Sequence, residues 1–253
     1  VTYDTFPGAA PTQDARFYAT PMSLLPYFVG KWGAFGFQAE GRWNFGKARD
    51  YVQEVDSAGN VLEDGDVKSW ALNLEASFDF GMGNAQLGWA YATGQERTYN
   101  NAGVQVYDSD VKAASIGADW AKLYILTGDT GPQSGRGVLG GIGAFGAGGN
   151  IDGISLIYGG ADFKPMENLS LGFIAGWGKA NEVWDGQDTD LGFEIDLIAQ
   201  YTIFDNLTNT LKIAYLNAGD YWKGSEWDPN FVQIDDKFDS SVWTVMNELK
   251  LSF

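Results

Sequence analysis

The sequence contains no cysteine and no histidine. The first absence excludes disulfides, thiol nucleophiles and thiolate metal sites. The second removes the general base of Ser–His and Cys–His catalysis, so neither arrangement can be assembled. No catalytic residue, cofactor or metal site is expected from the sequence. Basic residues are scarce as well, 16 against 33 acids for a net charge of -17, and that balance opposes binding to nucleic-acid phosphates. No stretch of about 18 residues is continuously apolar, which excludes a helical membrane span but not a strand barrel. No signal peptide is visible at Val1, so the chain reads as mature or trimmed.

What remains is rich in glycine (34 residues) and in aromatics (15%), a combination that suits curved sheets with aromatic rims. The organising signal is strict alternation, because successive side chains on a strand point to opposite faces. Phe35, Phe37, Ala39, Gly41, Trp43 and Phe45 share one face, and Gly36, Gln38, Glu40, Arg42 and Asn44 share the other. Trp70, Leu72, Leu74, Ala76 and Phe78 alternate with Ala71, Asn73, Glu75, Ser77 and Asp79. Leu169, Leu171, Phe173, Ala175 and Trp177 alternate with Ser170, Gly172, Ile174, Gly176 and Gly178, and Leu191 to Ile203 alternate with Glu194, Asp196 and Gln200. Leu211, Ile213 and Tyr215 flank Lys212, and the final strand sets Trp243, Val245, Leu249, Leu251 and Phe253 against Glu248 and Lys250. Residues 151–163 read as a strand whose two faces are hard to tell apart.

Connections sort by length. Short ones fall near Trp32–Ala34, Gly81–Asn84, Lys164–Asn168 and Phe204–Leu207; long ones near Lys47–Val67, Gln95–Asn150, Lys179–Asp190 and Gly219–Ser240. Residues 1–22 read as an external loop or N-terminal segment, and 23–253 as strands with 95–150 as a long external or inward-folded loop. About nine strands start near Ser23. Single-chain bacterial barrels have even strand numbers. The count therefore leaves two readings: an extra short strand at Ala15–Thr20, or the C-terminal part of a larger barrel, which is favoured. The long loop carries an apolar stretch, Trp120 to Leu126, that a wholly solvated connection would not need. Gly141 to Gly146 matches a dinucleotide-binding pattern formally, but no βαβ unit surrounds it. Asp185, Asp188 and Asp190, and Asp235, Asp236 and Asp239, read as solvated turn carboxylates rather than Ca²⁺ ligands.

The alternation, the loop asymmetry, the aromatics and the terminal Phe253 together resemble bacterial outer-membrane β-barrel proteins, and specifically porins. The phrases Phe163–Leu171 and Leu123–Asp129 are similar to those of porins from anaerobic proteobacteria. The resemblance implies an all-β antiparallel transmembrane barrel in the outer membrane, in contact with lipid and lipopolysaccharide. It implies passive diffusion of small hydrophilic solutes through a water-filled lumen, commonly in a homotrimer. On that reading Trp43, Leu74, Phe173, Leu197 and Phe253 face lipid. Gln38, Glu40, Arg42, Asn73, Glu75, Asp79, Glu194, Asp196, Gln200, Lys212, Glu248 and Lys250 line the pore, and their acidic excess, with the acidic loops, predicts a modest cation preference. Two alternatives stand beside it: a closed or plugged barrel with a structural, adhesive or scaffolding role, and a secreted soluble β-sandwich that binds carbohydrate.

Overall fold

The computed structural model describes residues 17–52, 63–95, 97–99, 105–107, 109–114, 122–128, 152–183, 186–223 and 241–252. Ten strands form one antiparallel sheet: β1 (Phe17–Leu24), β2 (Tyr27–Trp32), β3 (Phe35–Tyr51), β4 (Gly65–Asp79), β5 (Gly83–Ala92), β8 (Asp152–Met166), β9 (Leu169–Glu182), β10 (Asp190–Phe204), β11 (Leu207–Ala218) and β12 (Ser241–Leu251). A separate hairpin, β6 (Arg97–Tyr99) with β7 (Gln105–Tyr107), sits within the long connection. No helix among the described residues is long and apolar enough to cross a membrane. No pairing among the described residues joins β12 back to β1 or β2, which leaves the sheet open.

β1 and β2 share one edge. β1 pairs with the 43–51 half of β3 and β2 with the 35–40 half. Pro26 divides them, as expected of a residue with no N–H to give a ladder, and its carbonyl instead accepts the Gly41 N–H at 2.9 Å. The ten strands are therefore nine staves. Phe17, Tyr18 and Thr20 pair with β3, so the first stave begins before Ser23 and Phe17–Thr20 belong to it; Ala15 and Arg16, the rest of the proposed extra strand, lie outside the described residues.

Sequential neighbours are joined at one end by tight turns. Trp32 pairs with Phe35, Met166 with Leu169 and Phe204 with Leu207. Gly33 opens the first of these with φ of +59°, a conformation that leads naturally into a two-residue hairpin. The other end carries the long connections. Two strands reach further into one of them than the alternation indicates: β3 and β4 stay paired as far as Arg49 and Gly65. Charge pairs line the extension. Asp66 lies 3.0 Å from Lys47 and 3.3 Å from Lys68, and Lys68 lies 2.6 Å from Asp110. The loop carrying Asp110 also covers the edge of β4 that β5 leaves open. The Lys68 N–H donates to the Val111 carbonyl, and the Val111 N–H to the Asp66 carbonyl.

One face of the sheet is apolar and exposed, from Phe35, Trp43 and Phe45 on β3 to Trp243, Leu249 and Leu251 on β12. Phe35 and Phe45 lie ten residues apart on β3. At about 3.4 Å per residue and a tilt of about 40–45° they would bound an apolar band about 25 Å tall. The opposite face carries the small and polar partners, and much of it is buried.

The edge stave gives a direct test of local strain. Gly46 has φ of +105°, and a Cβ there would run into the Thr20 carbonyl oxygen, whereas Gly33 has open space around it. Gly33→Ala should cost about 1–2 kcal/mol for its left-handed backbone alone, and Gly46→Ala, which adds a backbone clash to its positive φ, should cost more. Denaturant titration of folded protein would show the order; equal losses would contradict the strain assigned to Gly46.

Candidate functional site

The covered part of the polar face is covered by the chain itself. Residues 122–128, from the apolar stretch of the long connection, lie against it with a single π-helical turn at Tyr124–Gly128. Leu123, Ile125 and Leu126 are fully buried. A main-chain segment lying flat on a sheet face cannot join the sheet's ladder, so its N–H groups need other acceptors. Two carboxylates supply them. The Tyr124 N–H donates to Asp196 at 2.9 Å, and the N–H groups of Ile125 and Leu126 donate to the two oxygens of Glu194. Glu194 and Asp196 stand two residues apart on β10, which places both on the same face. Only a carboxylate offers two acceptors at this spacing; an amide would turn an NH₂ group toward one of the donors. Thr127 completes the turn, with its hydroxyl donating to the Leu123 carbonyl at 2.8 Å and accepting the Leu123 N–H at 3.0 Å.

The side chains of the segment reach the neighbouring staves. Lys122 pairs with Glu75 of β4 at 3.0 Å, and Glu75 also accepts the Tyr158 hydroxyl of β8 at 2.9 Å. The Tyr124 hydroxyl lies 3.2 Å from the Met246 sulfur of β12, and the Lys212 ammonium of β11 sits 5.7 Å from the centre of the Tyr124 ring. β9 makes room by presenting glycine. A Cβ on Gly176 would lie 2.8 Å from a Leu123 methyl, and one on Gly178 would touch Leu126. Ile154, Leu156 and Tyr158 of β8 are buried on this face too. A strand with apolar residues on both faces has no readable alternation, so the segment explains the ambiguity of residues 151–163.

The predicted pore residues fall into three groups. Asn73, Glu194 and Asp196 lie on the polar face but are buried, Glu194 completely. They do not line water; alternation fixes the face of a side chain and not what covers it. Gln38, Glu40, Glu75, Lys212 and Glu248 are half-buried, and Arg42, Asp79, Gln200 and Lys250 are exposed. Among the residues read as lipid-facing, Trp43, Phe173 and Leu197 are exposed at 57%, 51% and 50%, Leu74 is half-buried, and Phe253 lies outside the described residues. Asp185, Asp235, Asp236, Asp239 and 141–146 also lie outside them. Asp188 and Asp190 are engaged in their own turn: Asp188 accepts the Asp190 N–H, and Asp190 accepts the Gly192 N–H and the Trp177 indole N–H. Residues that the alternation does not single out, Tyr158, Gly176, Gly178 and Thr127, form much of the site. The available signal was the coincidence of a glycine-lined strand face with an apolar stretch inside a long loop.

No family model and no curated protein matches the sequence. Among solved structures, OmpT folded in vitro, an outer membrane protein of Vibrio cholerae, is similar with a TM-score of 0.42 and 12% identity. The match covers 91% of this chain and 55% of that one, so the chain spans about half the length of that neighbour. A likeness this distant assigns neither a site nor an activity.

The two anchoring carboxylates should be separable by exchange. Glu194→Gln should speed hydrogen exchange at the Ile125 and Leu126 amides about five- to a hundredfold, the equivalent of about 1–3 kcal/mol for buried donors left without a good acceptor. Asp196→Asn should act mainly at Tyr124. Unchanged exchange in both variants would show that the carboxylates do not hold the segment.

Proposed function

We propose that the chain is an outer-membrane β-barrel protein of the porin type, a passive conduit for small hydrophilic solutes rather than an enzyme. The observation that carries the reading is the pairing of an outward apolar face with a polar face onto which a segment of the long connection is folded. A soluble sandwich buries its apolar face and wets its polar one; here Trp43, Phe173 and Leu197 are exposed and Glu194 is buried. That arrangement suits lipid outside and a narrowed aqueous lumen inside. Lipopolysaccharide and outer-leaflet lipid are then the natural surroundings of the apolar band, and a homotrimer is the assembly the reading carries with it.

The anchored segment sets the terms of passage. It narrows the lumen from one side, and it consumes charge that would otherwise act on solutes. Glu194 and Asp196 are occupied by main-chain donors, and Glu75 is matched by Lys122. The acidic excess on the inner face therefore shrinks. Any cation preference comes from the acidic loops and should be slight, fading as salt screens fields beyond about 10 Å at 0.1 M.

Planar-bilayer recording tests the conduit. The protein should conduct, and Gly176→Val, which places two methyl groups where Leu123 packs, should displace the segment and raise single-channel conductance. A folded protein that never conducts would favour a plugged barrel with a structural role. The membrane orientation has its own test: Leu197→Arg should cost about 2–4 kcal/mol in bilayer folding if it lies near the midplane, while Gln200→Arg should be tolerated. Equal effects would reverse or abolish the assigned faces.

A further inference from the structure

At the short-turn end the sheet carries a recess of about 780 Å³, walled by the turn between β4 and β5 and the turn between β8 and β9. β5 pairs with β8, so the two turns stand side by side. They are also tied together. The Lys164 N–H donates to the Met82 carbonyl at 2.8 Å. A Cβ on Gly83 would run into the Asp162 carbonyl oxygen, so the turns approach as closely as only glycine allows. The Gly81 N–H donates to Asp79 at 2.8 Å, which fixes the first turn from within. Walls held in this way need little further ordering when something binds between them.

The lining combines two chemistries. Asp79, Asn84 and Asp162 lie in direct register across β4, β5 and β8. Neighbouring strands are about 4.8 Å apart, so two carboxylates flank an amide at about 10 Å from one another. Glu167 adds a third carboxylate against the one ammonium of the lining, Lys164, for a net charge of -2. Met82 and Met166 supply the apolar part. They are 60% and 58% exposed, and they are two of the chain's four methionines. A tight turn needs neither. Exposed thioethers are flexible and polarizable, and they mould to the apolar side chains of a partner. Carboxylates alone would attract any cation; beside two methionines they favour one that carries apolar groups next to its charge. An arginine or lysine flanked by large apolar residues has that composition, and a guanidinium can engage both oxygens of a carboxylate.

We propose that this recess docks a basic, apolar peptide segment of a partner protein. The inference goes beyond the porin reading and takes from it only the side of the membrane: the short-turn end then faces the periplasm, and the partner is a periplasmic protein. The probe is a fluorescein-labelled hexapeptide that alternates arginine and leucine. It is titrated with the full chain folded in zwitterionic micelles and followed by fluorescence anisotropy, with empty micelles as the baseline. Binding should saturate. Asp162→Asn should weaken it at least fivefold, and Met82→Ser combined with Met166→Ser by a similar factor. Asp205→Asn, which removes the same charge from the turn between β10 and β11, outside the recess, should change it less than twofold. A hexapeptide alternating arginine and serine should bind the unaltered protein at least fivefold more weakly.

Equal weakening by Asp162→Asn and Asp205→Asn would overturn the site, because binding would then follow the general field of a chain of charge -17. Equal affinity for the serine peptide, or no effect of the methionine pair, would overturn the assignment of an apolar partner. Absence of saturable binding would overturn the proposal outright. A protein that conducts ions yet binds no peptide would sink this site and keep the porin reading. Peptide binding without conductance would do the reverse.

Discussion

The structure turns on three main-chain N–H groups and the two carboxylates that accept them. A segment laid on the face of a sheet has no ladder to join, and unsatisfied buried donors cost about 1–3 kcal/mol each. Glu194 and Asp196 resolve that cost for residues 124–126. The bond is reciprocal in effect, since two carboxylates buried without donors would be equally unfavourable. Everything near them follows: the glycines of β9 that admit Leu123 and Leu126, the apolar inner residues of β8, and the lysine that crosses to Glu75.

This explains why two faces that look so different in sequence both end up largely dry. The outward face is apolar because its neighbour is proposed to be lipid. Part of the inward face is apolar, or polar but satisfied, because its neighbour is the chain's own segment. Among the described residues Arg42, Gln200 and Lys250 keep their polar side chains exposed on that face.

Much of the fold was legible in the sequence. β3 alternates from Phe35 to Phe45, and β4 and β10 over most of their length, because each separates two unlike surroundings, and short turns such as Gly33-Ala34 mark one end of the sheet. β8 was not legible in the same way, because Ile154, Leu156 and Tyr158 are apolar on the inner face as well. The site was legible by residue and not by role. Parity put Glu194 and Asp196 together on the polar face, yet nothing in a strand's own pattern says that a segment about 70 residues earlier will cover it. The first stave was placed too late: the alternation starts it near Ser23, whereas Phe17 already pairs with β3 and Pro26 is a break within the stave.

The most direct test of the account is a cross-link between the segment and the strand beneath it. In the cysteine-free chain, Leu123→Cys combined with Gly176→Cys should cross-link readily through a short thiol-specific reagent in folded protein, because a Cβ at position 176 would lie 2.8 Å from the Leu123 side chain. Leu123→Cys combined with Gly36→Cys, on the inner face of β3, should not. Efficient cross-linking of the first pair alone is the result predicted here. Equal cross-linking of both pairs, or none in either, would contradict a segment anchored on the inner face.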